Sequence, residues 1–302
     1  MSLKKSTNRR YQKSNALRKL YSKIKMLYAQ IILILFYNKI KDLKFSIILS
    51  PGRTGTRSLG LLLNTIPNVL SRHEPRPSIL DLSVASIKQT LSDQEIFKTF
   101  LNRRSLYFYE AYSRKQIYCE SNYSLTFISN ILIDKLRNTK AVFITRNPKN
   151  YVRSAFSKEF GAHNNNGAHR LFDERDKRTR ITTSIFENYK DIHWDSLSRF
   201  EKVCWNFRLY HDHYLYLKNN GYPIKIFYFE DIFSNKVTFH ELLKELGMSI
   251  NEEQKQDLYD SFRKPINSSP NYLLGDFSDW SEKNKKDFRN IIGPLYSNFE
   301  FK

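Results

Sequence analysis

An α/β protein with a central parallel sheet is what the sequence predicts, on two observations. Short runs of β-branched and aromatic residues alternate with longer stretches of helical spacing, the pattern of strands joined by helical crossovers. The first of those runs also feeds a glycine-bearing turn that opens a helix, an arrangement suited to holding an anion. No internal repeat is visible. We therefore read one domain, residues 45–302, behind a basic amino-terminal segment, residues 1–44.

In chain order, "FSIIL" (45–49) reads as a buried strand and 57–66 as a helix stopped by Pro67. Val69–Leu70 is a short apolar strand. Helical patterns run from Ser78 to Arg104, with a strand at "QIYCE" (116–120) and a helix from Leu125 to Arg137. "AVFIT" (141–145) is the second strong strand, and a helix follows to about Lys158. Residues 161–180, polar and glycine-dotted, read as a mobile loop. A long helix fits Trp194 to Asn219, ended by Asn220–Gly221, and "IKIFYF" (224–229) is a further strand. Helices at 236–246 and 251–263, a Pro/Ser/Gly stretch at 265–281 and a helix from Glu282 complete the chain.

The net charge is +20. Residues 1–41 hold eleven basic residues and no acid, so 20 less 11, or +9, belongs to the rest. Such a protein should meet something anionic: a nucleotide, a polyanion, nucleic acid or a membrane surface. Charge alone does not choose. Two cysteines, Cys119 and Cys204, permit one disulfide at most and make no metal pattern, so the reducing cytoplasm is the default location. "MLYAQIILILFY" (26–37) is too short to cross a bilayer, which needs about 20 residues. Leu17, Leu20, Ile24, Leu27, Ile31 and Leu35 recur at helical steps among lysines and arginines. We expect an amphipathic helix packed on the domain with a solvated basic face. Peripheral membrane contact through 17–37 is the alternative, and a short signal anchor the third reading.

"SPGRTGTRSLG" (50–60) lies where the first strand passes into the first helix. A helix starts with free N–H groups and the positive end of its dipole. Gly52 and Gly55 let the backbone approach an anion. Thr54, Thr56 and Ser58 offer hydroxyls, and Arg53 and Arg57 offer charge-assisted donors. The P-loop pattern fails here: the glycines are three apart and no Lys precedes the hydroxyl. That disfavours a nucleoside triphosphatase, and leaves a nucleotide or sugar kinase on a similar fold as the rival reading. "FITRNPKNYVRSAFS" (143–157) offers a second site. Arg146 stands at a strand end, Pro148 suits the first turn of the next helix, and Ser154 lies about two turns along it.

Together the two loops resemble the PAPS-dependent sulfotransferases, which use 3′-phosphoadenosine 5′-phosphosulfate as sulfate donor. "SPGRTGTRSL" looks like their 5′-phosphosulfate loop, and "TRNPKNYVRS" is similar to their 3′-phosphate motif. "IYCESNYSL" and "YFEDIF…LLKELGMS" resemble further family segments. The resemblance runs from Phe45 to the C-terminus. It implies a three-layer α/β sandwich related to nucleotide kinases, and transfer of a sulfuryl group from PAPS to a hydroxyl or amine, leaving PAP. It implies no metal and no nucleic acid.

On this resemblance Thr54, Gly55, Thr56, Arg57 and Ser58 hold the 5′-phosphate, Arg146 and Ser154 hold the 3′-phosphate, and Arg53 stabilises the leaving bridge oxygen. Cytosolic members carry Lys where this chain has Arg53, and their "RKG" signature is missing. "GTRSL" is closer to the carbohydrate and tyrosylprotein branches, so a glycan or exopolysaccharide-precursor hydroxyl is the expected acceptor, with lipid-linked or protein tyrosine acceptors behind it. "RKPINSSP" (263–270) occupies the region of that signature; Arg263 and Lys264 read better as a solvated helix end than as phosphate ligands. The acceptor must lose a proton, and "SRHEPRP" (71–77) is where a general base is expected. Glu74 leads because related branches carry a catalytic Glu after this helix. His73 follows, with an ordinary pKa near neutrality, and Glu120 is third. His163 and His169 fall in the polar loop.

Overall fold

The computed structural model describes residues 27–28, 31–32, 34–160, 181–264 and 273–301. The expected loop at 161–180 with His163 and His169, residues 265–272 of the Pro/Ser/Gly stretch, and Leu17, Leu20 and Ile24 lie outside the described residues. The chain is helical at 27–28, 31–32 and 34–41, which we call α1. Five strands follow: β1 (Phe45–Leu49), β2 (Val69–His73), β3 (Ile117–Ser121), β4 (Thr139–Thr145) and β5 (Ile224–Tyr228). Every pairing is parallel, in the order β2-β3-β1-β4-β5.

The remaining helices are α2 (Thr56–Leu63), α3 (Leu80–Ile87), α4 (Asp93–Ser113), α5 (Ser129–Lys135), α6 (Pro148–Phe160), α7 (Arg199–Asn219), α8 (Phe229–Ser234), α9 (Lys236–Glu245), α10 (Glu252–Phe262) and α11 (Glu282–Ile292). They form two layers, because side chains alternate across a strand. Phe45, Ile47 and Leu49 of β1 share a cluster with α4, α5, α6, α7 and α11. Ile48 faces the other way, into a cluster with α2, α9 and α10. A sheet buried on both faces explains why its inner strands read as continuous apolar runs. The fold is thus α/β, a parallel sheet between two helical layers.

Several boundaries differ from the sequence reading, each for a local reason. The pattern from Ser78 to Arg104 is two helices, because a capping box between Ser92 and Glu95 starts α4 afresh. A second box, Ser198 with Glu201, delays α7 to Arg199, and Trp194–Ser196 is a 3-10 turn instead. The stretch from Leu125 divides into a 3-10 turn, Tyr123–Ile128, and the short α5. β2 runs on past Leu70 through polar residues to His73.

Topology fixes where a ligand can enter. The chain leaves β1 into α2 on one face of the sheet and leaves β4 into α6 on the other. β1 and β4 are neighbours, so a crevice opens between their carboxyl ends. In open α/β sheets such a divergence is where ligands bind.

Candidate active site

The turn after β1 is built to approach another surface closely. Gly52, Arg53 and Gly55 all have positive φ, at 82°, 56° and 73°. Gly55 caps α2 in the left-handed conformation, and a Cβ there would lie 2.4 Å from the Phe229 ring. Only glycine fits both demands. Buried Tyr151 of α6 donates to the Pro51 carbonyl at 3.3 Å, and Asn206 of α7 donates to the Tyr151 hydroxyl at 2.7 Å. The turn is therefore held from the opposite helical layer. The first turn of α2 carries no acidic residue, and no side chain caps it. Its free N–H groups and dipole favour an anion. Thr54 is 1% exposed, and its hydroxyl makes no hydrogen bond to the described protein atoms. A buried hydroxyl in that state costs roughly 1–3 kcal/mol, which a ligand oxygen would recover. Thr56 is buried, Ser58 half-buried and Arg57 exposed.

The second loop meets the first. Arg53 Nη2 donates to Ser154 Oγ at 3.2 Å, and Arg146 Nη1 donates to the Arg53 carbonyl at 3.3 Å. The sequence separates these residues by about a hundred positions; the β1–β4 pairing brings them together. Ser154 is 5% exposed, and Arg146 keeps 21% of its side chain open. Arg146 is held on two further sides. Its guanidinium carbon lies 5.3 Å from the Phe229 ring centroid, and its Nε is 3.6 Å from Glu230 Oε1. Glu230 also accepts from the Asn147 amide at 3.2 Å and from Asn150 at 3.4 Å, so it caps the start of α6 while orienting Arg146.

A third group lies across α2. His73 ends β2, and Ser121 ends β3 beside it. Ser121 Oγ donates its one proton to the Thr56 carbonyl at 3.3 Å. It must therefore accept from His73 Nδ1, 2.9 Å away. That leaves the lone pair on His73 Nε2, which stands 3.8 Å from Glu74 Oε1. Burial holds the His73 pKa below its ordinary 6.5; Arg57 pushes the same way, and Glu74 opposes. The imidazole is thus neutral near pH 7. Gly60 makes the packing possible, since a Cβ there would come 3.1 Å from Ser121 Oγ. Glu74 is 46% exposed, with φ of 44° and its amide bonded to the Ser121 carbonyl at 2.9 Å.

Two sequence candidates are placed elsewhere. Glu120 is sealed and saturated: it receives Arg104 at 2.7 and 3.0 Å, Tyr118 at 2.8 Å and Asn122 at 3.0 Å. A carboxylate so paired is a structural anion and has no capacity left as a base. Arg104 also donates to the Pro77 carbonyl at 2.7 Å, tethering the loop that follows Glu74. Arg263 and Lys264 are exposed at the end of α10. The sequence reading gave no role to Ser121, Phe229 or Glu230. Their signal was position: Ser121 ends a strand, and the other two directly follow one, where parallel sheets place their ligands.

No family model matches this chain, and no curated protein matches it. Several sulfotransferases are among the solved structures with a similar chain path. One from Mycobacterium avium is 12% identical over 86% of this chain and 78% of its own, with a TM-score of 0.46. A mouse sulfotransferase complexed with PAP is 13% identical over 86% of each chain, with a TM-score of 0.45. One from Alicyclobacillus acidocaldarius is 14% identical over 83% of this chain and 96% of its own, with a TM-score of 0.41.

Proposed function

We propose that this protein is a PAPS-dependent sulfotransferase acting on a hydroxyl acceptor, with glycans the first acceptors to test. The observation that carries the reading is the junction of the two loops, through the Arg53–Ser154 and Arg146–Arg53 hydrogen bonds. It sets two arginines, a helix start and the orphaned Thr54 hydroxyl around one crevice. A ligand with two separated anionic groups matches that layout. The α2 turn takes the 5′ side, and Arg146 with Ser154 takes the 3′-phosphate.

In the reaction the sulfur–oxygen bond to the donor phosphate breaks and a bond from sulfur to the acceptor oxygen forms. Charge builds on the moving group and on the leaving phosphate, as in phosphoryl transfer. Arg53 and the α2 amides stabilise it from fixed positions. His73 Nε2 takes the acceptor proton, its tautomer set by Ser121. Glu74 then serves as the neighbour that stabilises the imidazolium. This reverses the order the sequence suggested, because His73 is oriented and deprotonated whereas Glu74 is half open to water.

Transfer of radiolabelled sulfate from PAPS across a panel of glycans tests the proposal. Labelled product is expected, and Arg53→Ala should lower the rate roughly 10²–10³-fold, the cost of losing one preorganised donor. No transfer to any glycan or simple hydroxyl, from protein that binds PAP, would overturn the assignment as a transferase.

A further inference from the structure

Helix α1 is apolar on two sides. Inward, Ile32 and Ile40 are 3% and 1% exposed, and Phe36 packs on Tyr109 and Tyr112 of α4 with ring centroids 5.0 and 5.9 Å away. Outward, Leu27, Tyr28, Ile31, Ile34 and Leu35 are 59%, 52%, 43%, 79% and 68% exposed. Leu27, Ile31 and Leu35, which the sequence spacing placed against the domain, therefore face outward instead. Of the twelve exposed large hydrophobics among the described residues, five fall in these nine positions. That is a patch, not the scatter of single apolar residues any surface carries.

Charge decides what covers it. Residues 1–41 carry eleven basic residues and no acid. A second copy of this +20 chain would bring the same cations face to face, so self-association is opposed. Nucleic acid matches the charge but not the aliphatic stripe. Basic and apolar together match an anionic lipid surface. At the end of α1, Lys39 and Lys44 are exposed, and with Lys115 they line a cavity of about 450 Å³ at the amino ends of β1 and β3. Asp42, also on that rim, is already paired with Arg137 at 3.2 Å.

We propose that this face of α1 docks the protein onto anionic phospholipid. Leu27, Ile31, Ile34 and Leu35 enter the acyl boundary, and Lys39, Lys44 and Lys115 meet headgroup phosphates. No helix among the described residues is long and apolar enough to cross a membrane. The inference does not depend on the sulfotransferase reading.

Co-sedimentation of the full chain with vesicles tests it, using phosphatidylcholine alone and phosphatidylcholine mixed with phosphatidylglycerol. The wild type should pellet with the mixed vesicles, less so at high salt, and weakly with phosphatidylcholine alone. The double variant Ile31→Ser, Leu35→Ser should partition at least about tenfold less, given the apolar area removed. Its thermal shift with PAP should match the wild type, which separates this outcome from misfolding and from the active-site reading. Wild type left in the supernatant, or equal pelleting by the variant, overturns the proposal. So does a wild-type dimer in light scattering that the variant loses, which would make a second copy the occupant. A lower Tm in the variant without a vesicle difference would mean that the chain covers its own face, and also overturns it.

Discussion

The role proposed for His73 rests on one hydroxyl. Ser121 has a single proton and gives it to the Thr56 carbonyl, which fixes the imidazole tautomer and leaves Nε2 basic. Because burial lowers the His73 pKa, the imidazole is uncharged at neutrality, as the proposed base must be. The expected kcat/KM for transfer rises with pH through an apparent pKa below 6.5 and is flat above it. His73→Ala should remove the rising limb and cost about 10²–10⁴ in rate. Glu74→Gln removes the one neighbouring charge that raises the His73 pKa, so the limb should move to lower pH. A Glu74→Gln profile with no limb would make Glu74 the base instead. The sequence named both residues. Our proposal reverses their order, on the strength of Ser121, forty-eight positions from His73.

The turn that carries Glu74 is anchored by α4. Arg104 and Glu120 are both fully buried and joined by two hydrogen bonds, and Arg104 also holds the Pro77 carbonyl. Breaking a buried pair leaves an uncompensated charge, worth roughly 3–5 kcal/mol. Arg104→Ala should therefore lower the urea midpoint by that amount of stability and slow transfer through Glu74 and His73. An unchanged midpoint would contradict the anchoring role. Sequence reading found β1 and β4 because inner strands buried on both faces are largely apolar, and β5 from its β-branched and aromatic residues despite the exposed Lys225. It stopped β2 at Leu70 because Ser71, Arg72 and His73 are polar. Arg72 and His73 are partly open because they finish an edge strand at the site, whereas Ser71 is buried. The helix starts at Ser92 and Ser198 were legible as S-x-x-E boxes and went unused.

Both helical layers pack on one sheet, and α7 carries His211 fully buried into that core and His213 half-buried beside it. Burial pushes the His211 pKa down to about 3 and that of His213 to about 4. Both are uncharged in the folded protein, while the unfolded chain takes up their protons near 6.5. Below pH 6.5 the unfolded state thus binds more protons, and stability falls as pH drops towards 4 and 3. Each histidine contributes a slope of at most about 1.4 kcal/mol per pH unit. Thermal melts between pH 7 and 4 should show Tm falling, and His213→Phe should flatten the fall. A Tm independent of pH over that range would contradict the burial. His211 matters to the site as well: it binds Thr145 at 2.6 Å, and Thr145 directly precedes Arg146. Strand order was not readable from the sequence, since alternation of strands and helices does not say which strands pair. It is the β1–β4 pairing that joins the two loops.

Isothermal titration with PAP measures that junction most directly. The wild type should bind PAP and not ATP with Mg²⁺, and Arg146→Ala should abolish binding while leaving the fold intact by circular dichroism. An Arg146→Ala protein that binds PAP as tightly as the wild type would contradict the account.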